Sequence, residues 1–169
     1  VSVLRQGKMD YSFTRPSRLN VPKVVLPGMV APQINVDFFI DTSGSMSNDE
    51  MAQPIAEAGA ILKTMQGTVD LWVYSGDMGM QHAQKLTRPG HVKLVGGGGT
   101  DMSQAMSEIE ARCKATKRSR DILVCATDCH TNWSPTPPRF AKVLVLKVGD
   151  GQNPPWPCEV VEVTPHKRN

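Results

Sequence analysis

The segment Ile34-Asn35-Val36-Asp37-Phe38-Phe39-Ile40-Asp41 constrains the chain more than any other. It is short, β-branched and aromatic, and it stops at an aspartate, the pattern of a buried strand that gives way to a loop. Just beyond the loop, Ser47 and Glu50 form a capping box, and Met51, Ile55, Ala58, Leu62 and Met65 recur at helical spacing. A buried strand that runs straight into an amphipathic helix is the opening of an α/β domain. Pro54 falls inside that helix and removes one backbone donor, so a kink or a tightened first turn is expected there.

The rest of the chain repeats the alternation. Val69, Leu71 and Val73 alternate as a strand. A hairpin is expected around Gly76 to Gly79, with an edge strand over Gln81 to Leu86 and a further strand over His91 to Val95. The loop Gly96-Gly97-Gly98-Gly99-Thr100-Asp101 opens a second helix, with Asp101 and Gln104 as a capping pair and Met102, Ala105, Met106, Ile109 and Cys113 along one face. Asp121 to Ala126 reads as another apolar strand, ending at Thr127-Asp128; Val143 to Val148 and Cys158 to Val163 complete the set. The prolines in Thr131 to Pro138 and Asn153 to Pro157 exclude regular helices and predict extended loops.

Alternating strands and helices imply right-handed crossovers and a doubly wound, mostly parallel sheet flanked by helices on both faces. Ligands of such sheets lie beyond the carboxyl ends of the strands. Three polar loops fall there: Asp41 to Ser45, Gly99 to Asp101, and Thr127-Asp128.

Composition sets limits. At 169 residues and 40% hydrophobic content the chain suits one core between a sheet and its helices. No run approaches the roughly 18 apolar residues of a membrane span, and the first twenty residues lack an apolar signal region, so a cytoplasmic location and no membrane partner are expected. The net charge of +3 comes partly from scattered positions such as Lys114, Lys117, Arg118 and Arg120, with few aromatics between them, which argues for a solvated face over a nucleic-acid site. Cys113, Cys125, Cys129 and Cys158 lack zinc-ribbon spacing and read as reduced thiols.

The motif Asp41-Thr42-Ser43-Gly44-Ser45 is a DxSxS loop at the junction of strand and helix. Here the chain resembles the von Willebrand factor A-like (VWA) family, whose metal-ion-dependent adhesion site joins DxSxS to a Thr of a second loop and an Asp of a third. Asp41, Ser43, Ser45, Thr100 and Asp128 match that set in type and order. The resemblance spans roughly Ile34 to Val148 and is closest to the VWA-like domain of bacterial predicted metallopeptidases, including the Arg-Pro-Ser-Arg and Leu-Pro-Gly segments upstream. It implies a Rossmann-like VWA fold over residues 31–169; residues 1–30, rich in Pro, Arg and Gly turns, read as an arm or edge segment.

The chemistry of the residues points the same way. Hydroxyl and carboxylate oxygens are hard ligands suited to Mg²⁺, with Mn²⁺ or Ca²⁺ as alternatives. Asp41 and Asp128 offset the divalent charge, and Ser43, Ser45 and Thr100 leave a site able to accept one further anionic ligand. Direct coordination is expected of the three hydroxyls, with the aspartates acting directly or through water. The resemblance makes the further ligand an acidic side chain of a protein partner, and an AAA+ ATPase of the MoxR type is one partner it implies. Each residue taken singly also fits a plain cap or turn, which for Asp101 is a complete explanation.

Competing readings fit less well. A haloacid-dehalogenase-type phosphotransferase needs a second Asp two residues after the first, where this chain has Ser43. The Gly96 to Gly99 run is followed by Thr100-Asp101 and lacks the Gly-Lys pair of a P-loop. There is no HExxH motif, so no catalytic residue is assigned and the chain is read as a binding module; a metal-dependent hydrolase or phosphotransferase and an RNA-binding accessory protein are the alternatives.

Overall fold

The computed structural model describes residues 10–17, 25–30, 33–44, 48–64, 68–87, 92, 94–95 and 97–163. Strands β1 (Asp10–Pro16) and β2 (Pro27–Val30) pair antiparallel as a small two-stranded sheet of their own, with Tyr11 opposite Met29.

The main sheet begins with β3 (Ile34–Asp41), the strand anticipated from its apolar run. Helix α1 (Asn48–Thr64) follows with Pro54 inside it, then β4 (Val69–Gly76) and the short β5 (His82–Lys85). Helix α2 (Met102–Ala115) leads to β6 (Ile122–Thr127), β7 (Lys142–Lys147) and β8 (Glu159–Glu162). The six strands lie in the order β5-β4-β3-β6-β7-β8, all parallel except the antiparallel edge strand β5. Ser47, half of the expected capping box, lies outside the described residues.

Side-chain alternation along the strands divides the core into two layers. Val36, Phe38 and Ile40 of β3 pack with Ala58 and Ile55 of α1. Phe39 points the other way and packs with Tyr74 and with Met102, Ala105, Met106 and Ile109 of α2, the helical stripe read from the sequence. Beyond α2 the second face is roofed by the two proline-rich loops, which contain no helix. Trp133 donates to the Gln152 carbonyl at 2.8 Å, Trp156 donates to the Ser134 carbonyl at 3.1 Å, and the two rings meet edge to face at 6.1 Å.

One expected strand is not formed. Of His91 to Val95, the described Val92, Leu94 and Val95 carry no strand pairing. The physical reason is that β4 has two edges and both are taken, one by β3 and the other by β5. The segment crosses the strand ends instead. Val95 N–H donates to Ser75 Oγ at 3.1 Å and its carbonyl accepts from Thr42 Oγ1 at 2.9 Å, while Val92 and Leu94 pack against the α1-side core.

Candidate functional site at the sheet switch point

From β3 the chain winds one way to β4, then returns through α2 to β6 on the opposite side of β3. The winding therefore reverses between β3 and β6, and the crevice at their carboxyl ends is where α/β sheets bind ligands. Register fixes what meets there. Asp41 is aligned with Gly76 of β4, and Ile40 with Ala126 of β6, so the loops after Asp41, Gly76 and Thr127 leave the sheet side by side.

Asp41 is fully buried and forms the centre of the cluster. Its carboxylate accepts from Thr127 Oγ1 at 2.7 Å, from Ser43 N–H at 2.9 Å and from Thr100 Oγ1 at 3.1 Å. The Ser43 hydroxyl is also bonded to it. Burial nevertheless dominates and raises the Asp41 pKa above its ordinary value, the bonds from Thr127, Ser43 and Thr100 offsetting part of the rise. Among the described residues no Lys, Arg or His is within ion-pair distance of Asp41 or Asp128.

Asp128 is buried in the loop after β6, where its Oδ1 accepts from His130 N–H at 2.9 Å. Cys129, between them, adopts a left-handed φ of 63°, uncommon for a residue with a side chain. Two bonds hold that turn: Cys129 N–H to Thr127 Oγ1 at 3.0 Å and Gly151 N–H to the Asp128 carbonyl at 3.1 Å. Gly151 can approach because it lacks a side chain; a Cβ there would stand 2.2 Å from the Cys129 carbonyl carbon.

The structure thus brings Asp41, Ser43 and Thr100 into direct contact and sets Asp128 on the neighbouring strand end. Ser45 lies outside the described residues. Asp101 caps α2, accepting from Gln104 N–H at 3.1 Å.

Two residues without an assigned role in the sequence hold the site together. Thr127 bridges Asp41 and the Cys129 turn through a single hydroxyl. Asp77 follows β4 and anchors the glycine loop. Its Oδ2 accepts from Gly98 N–H at 2.7 Å, its Oδ1 accepts from Met78 N–H at 2.6 Å and from the Gln81 amide, and its carbonyl accepts from Asp101 N–H at 3.0 Å. The Met78 N–H, with help from Gly98, lowers the Asp77 pKa below the usual carboxylate value. Across the gap Gly44 N–H donates to the Gly98 carbonyl at 2.9 Å, tying the first loop to the second. The signal that could have found both residues is the rule that located the others: a polar side chain directly after a buried parallel strand.

The donors are all hard oxygens. Among the described residues no group of three or more His, Cys, Asp or Glu is placed to hold a metal ion, so any cation held here has to take hydroxyl as well as carboxylate ligands. A buried carboxylate bonded to hydroxyls, with no basic partner among the described residues, suits a small hard divalent cation.

A parallel α/β sheet with DxSxS, Thr and Asp loops gathered at its switch point defines a VWA-type domain. Residues 36–164 match the family model of the VWA-like domain (DUF2201), and the chain belongs to that family. The fold is also that of the crystal structure of the ArnB paralog VWA2 from Sulfolobus acidocaldarius, with a TM-score of 0.52 and 12% sequence identity over 71% of this chain. The chain spans 36% of that protein's length. No curated protein matches the chain. Domains of the VWA kind are in general protein-interaction modules. No helix among the described residues is long and apolar enough to cross a membrane.

Proposed function

We propose that this VWA-like domain is a protein-binding module that holds one divalent cation, Mg²⁺ in the first instance, on Asp41, Ser43, Ser45, Thr100 and Asp128. Bound there, the cation supplies a positive pole with a coordination position left for an acidic side chain of a protein partner. The observation that carries the reading is the buried Asp41 carboxylate, which gathers Ser43 and Thr100 around it and has no basic partner among the described residues. The chain's own part is preorganisation. Thr127 orients Asp41, Asp77 fixes the loop that carries Thr100, and the Cys129 turn sets Asp128 beside them.

Domain-level function supports the partner being a protein, and an AAA+ ATPase of the MoxR type is the class of partner to test first. The deciding experiment is calorimetric titration of Mg²⁺ and Mn²⁺ into chelator-treated protein beside Asp41→Ala. One saturable site that disappears in the variant is the expected result. Equal heats in both proteins would overturn the metal assignment.

A further inference from the structure

The two faces of the main sheet are covered unequally. Helix α2 and the two tryptophan-bearing loops lie on the α2 side, and of the connection between β5 and α2 the described Val92 and Leu94 pack on the α1 side. On the other side α1 packs over β3 and β4, and among the described residues no second helix covers β6, β7 and β8. Those three strands are mutually parallel, and parallel sheet is stable when both faces are covered.

Among the described residues, what remains open is a groove of about 220 Å³ between α1 and the outer strands. Ile61 of α1 forms one wall, and Val124, Leu144 and Leu146 form the floor. Exposure rises away from α1: Val124 is buried, Leu144 and Leu146 are half-buried, and Val161, aligned with Leu146 on the edge strand, is 40% exposed. The rim is acidic. Glu57 and Glu159 line it with Lys142, whose ammonium is held by Glu159 at 2.6 Å, so Glu57 is left uncompensated within the rim.

We propose that this groove is the docking site of an amphipathic helix from a separate protein partner, one with an aliphatic face flanked by lysine or arginine. A helix is the element that covers a parallel sheet, because it seals the apolar face without needing backbone partners from it. The floor from Lys142 to Leu146 runs about 13 Å, which is the length of about nine helical residues. A second copy of this chain is a poor occupant, because it would bring a rim of the same net negative sign to the contact. The site is on a sheet face, apart from the strand-end cluster, and does not depend on the cation assigned there.

The test uses fluorescence anisotropy in chelator-containing buffer with two synthetic peptides of about 14 residues, long enough to span the groove as a helix. Both carry leucines at i, i+3, i+4 and i+7; one has flanking lysines and the other flanking glutamates. Saturable binding of the lysine peptide is expected, at least about tenfold tighter than the glutamate peptide. Val161→Asn, which removes apolar contact without adding charge, should weaken it by about fivefold and leave the lysine preference in place. Glu57→Lys, on the exposed side of α1, should narrow or reverse the preference while leaving the fold intact. The proposal is overturned if neither peptide binds, if both bind alike, or if Glu57→Lys leaves the preference unchanged. A concentration-dependent dimer whose dissociation constant shifts in Glu57→Lys would also overturn it, reassigning the groove to a second copy.

Discussion

Thr127 Oγ1 lies 2.7 Å from Asp41 Oδ2, so the last residue of β6 donates to the last residue of β3 across the point where the winding of the sheet reverses. Both residues are fully buried. The same hydroxyl accepts from Cys129 N–H at 3.0 Å, so one side chain orients the central carboxylate and closes the turn that carries Asp128.

Thr127→Val tests that double role with little change in shape. The variant removes a bond to a carboxylate and leaves the Cys129 N–H without its acceptor, so it should cost about 2–3 kcal/mol of folding stability. Urea unfolding monitored by circular dichroism measures this. A variant as stable as the parent would mean that water or a neighbouring group replaces the hydroxyl.

Asp41 should give the metal-free protein an unusual pH response. Burial raises its carboxyl above the ordinary value of 3.8, so the folded state holds the proton more tightly than the unfolded chain does. The contribution of this group to stability is therefore full below 3.8 and is lost as pH rises through its raised folded value. Asp77, Asp150 and Glu159 shift the opposite way, so the comparison has to be made against Asp41→Asn at each pH. The expected result is a parent-minus-variant stability difference that falls with rising pH in chelator and is reversed by added Mg²⁺. A flat difference in chelator would show that the carboxyl is not perturbed.

How much of this was legible in the sequence depended on whether the signal was local. Apolar runs that stop at Asp41 and at Thr127-Asp128 mark buried strands and their carboxyl ends without any tertiary knowledge, and the parallel sheet follows from them. His91 to Val95 alternates as a strand should, but a strand also needs a free edge, and β5 had already taken the outer edge of β4. Thr127 and Asp77 escaped assignment because a lone Thr or Asp at a strand end looks like any cap, and their partners become neighbours only in the folded sheet. Asp37 is the extreme case. Nothing near it announces Arg118, which is 81 positions further along the chain.

Asp77→Ala should loosen the glycine loop without reaching the proposed cation directly. The Gly98, Met78 and Gln81 donors lose their acceptor, and Thr100 follows two residues after Gly98. Mg²⁺ affinity should fall by about tenfold or more, the scale of losing a group that positions ligands. Gly98→Ala offers an independent route to the same loss, since its Cβ would stand 2.8 Å from Asp77 Oδ2. Calorimetry on both variants checks the prediction, and unchanged affinity in both would remove Asp77 from any role at the site.

The thiols should be slow to react in the folded state. Burial pushes Cys113 and Cys129 up to about 11, and raises Cys125 and Cys158 as well. A thiolate is the reactive form, and Cys158 alone among the four is half-buried rather than buried. Iodoacetamide labelling at pH 8 followed by mass spectrometry should therefore find Cys158 modified first and the other three only after unfolding. Rapid labelling of Cys129 would instead reveal opening of the loop that holds Asp128.

Asp37 carries the largest stability prediction, because it is a fully buried charge in the middle of β3. Arg118 Nη1 and Tyr74 Oη each lie 2.7 Å from its Oδ1, and Arg118 stacks over the Trp72 ring at 5.4 Å. Removing the carboxylate leaves the guanidinium, whose side chain is only 11% exposed, with just the longer ion pair to Asp70 at 3.9 Å, so Asp37→Ala should cost about 3–5 kcal/mol. Tyr74→Phe removes one neutral donor and keeps the ion pair, and should cost only about 1–2 kcal/mol. The contrast is informative because both side chains sit on the α2 face, away from the strand-end cluster. Loss of stability in Asp37→Ala with Mg²⁺ binding retained below the unfolding transition would separate the pair that holds the sheet to α2 from the residues that form the site. Equal costs for the two variants would mean that Arg118 finds solvent or another partner once Asp37 is gone.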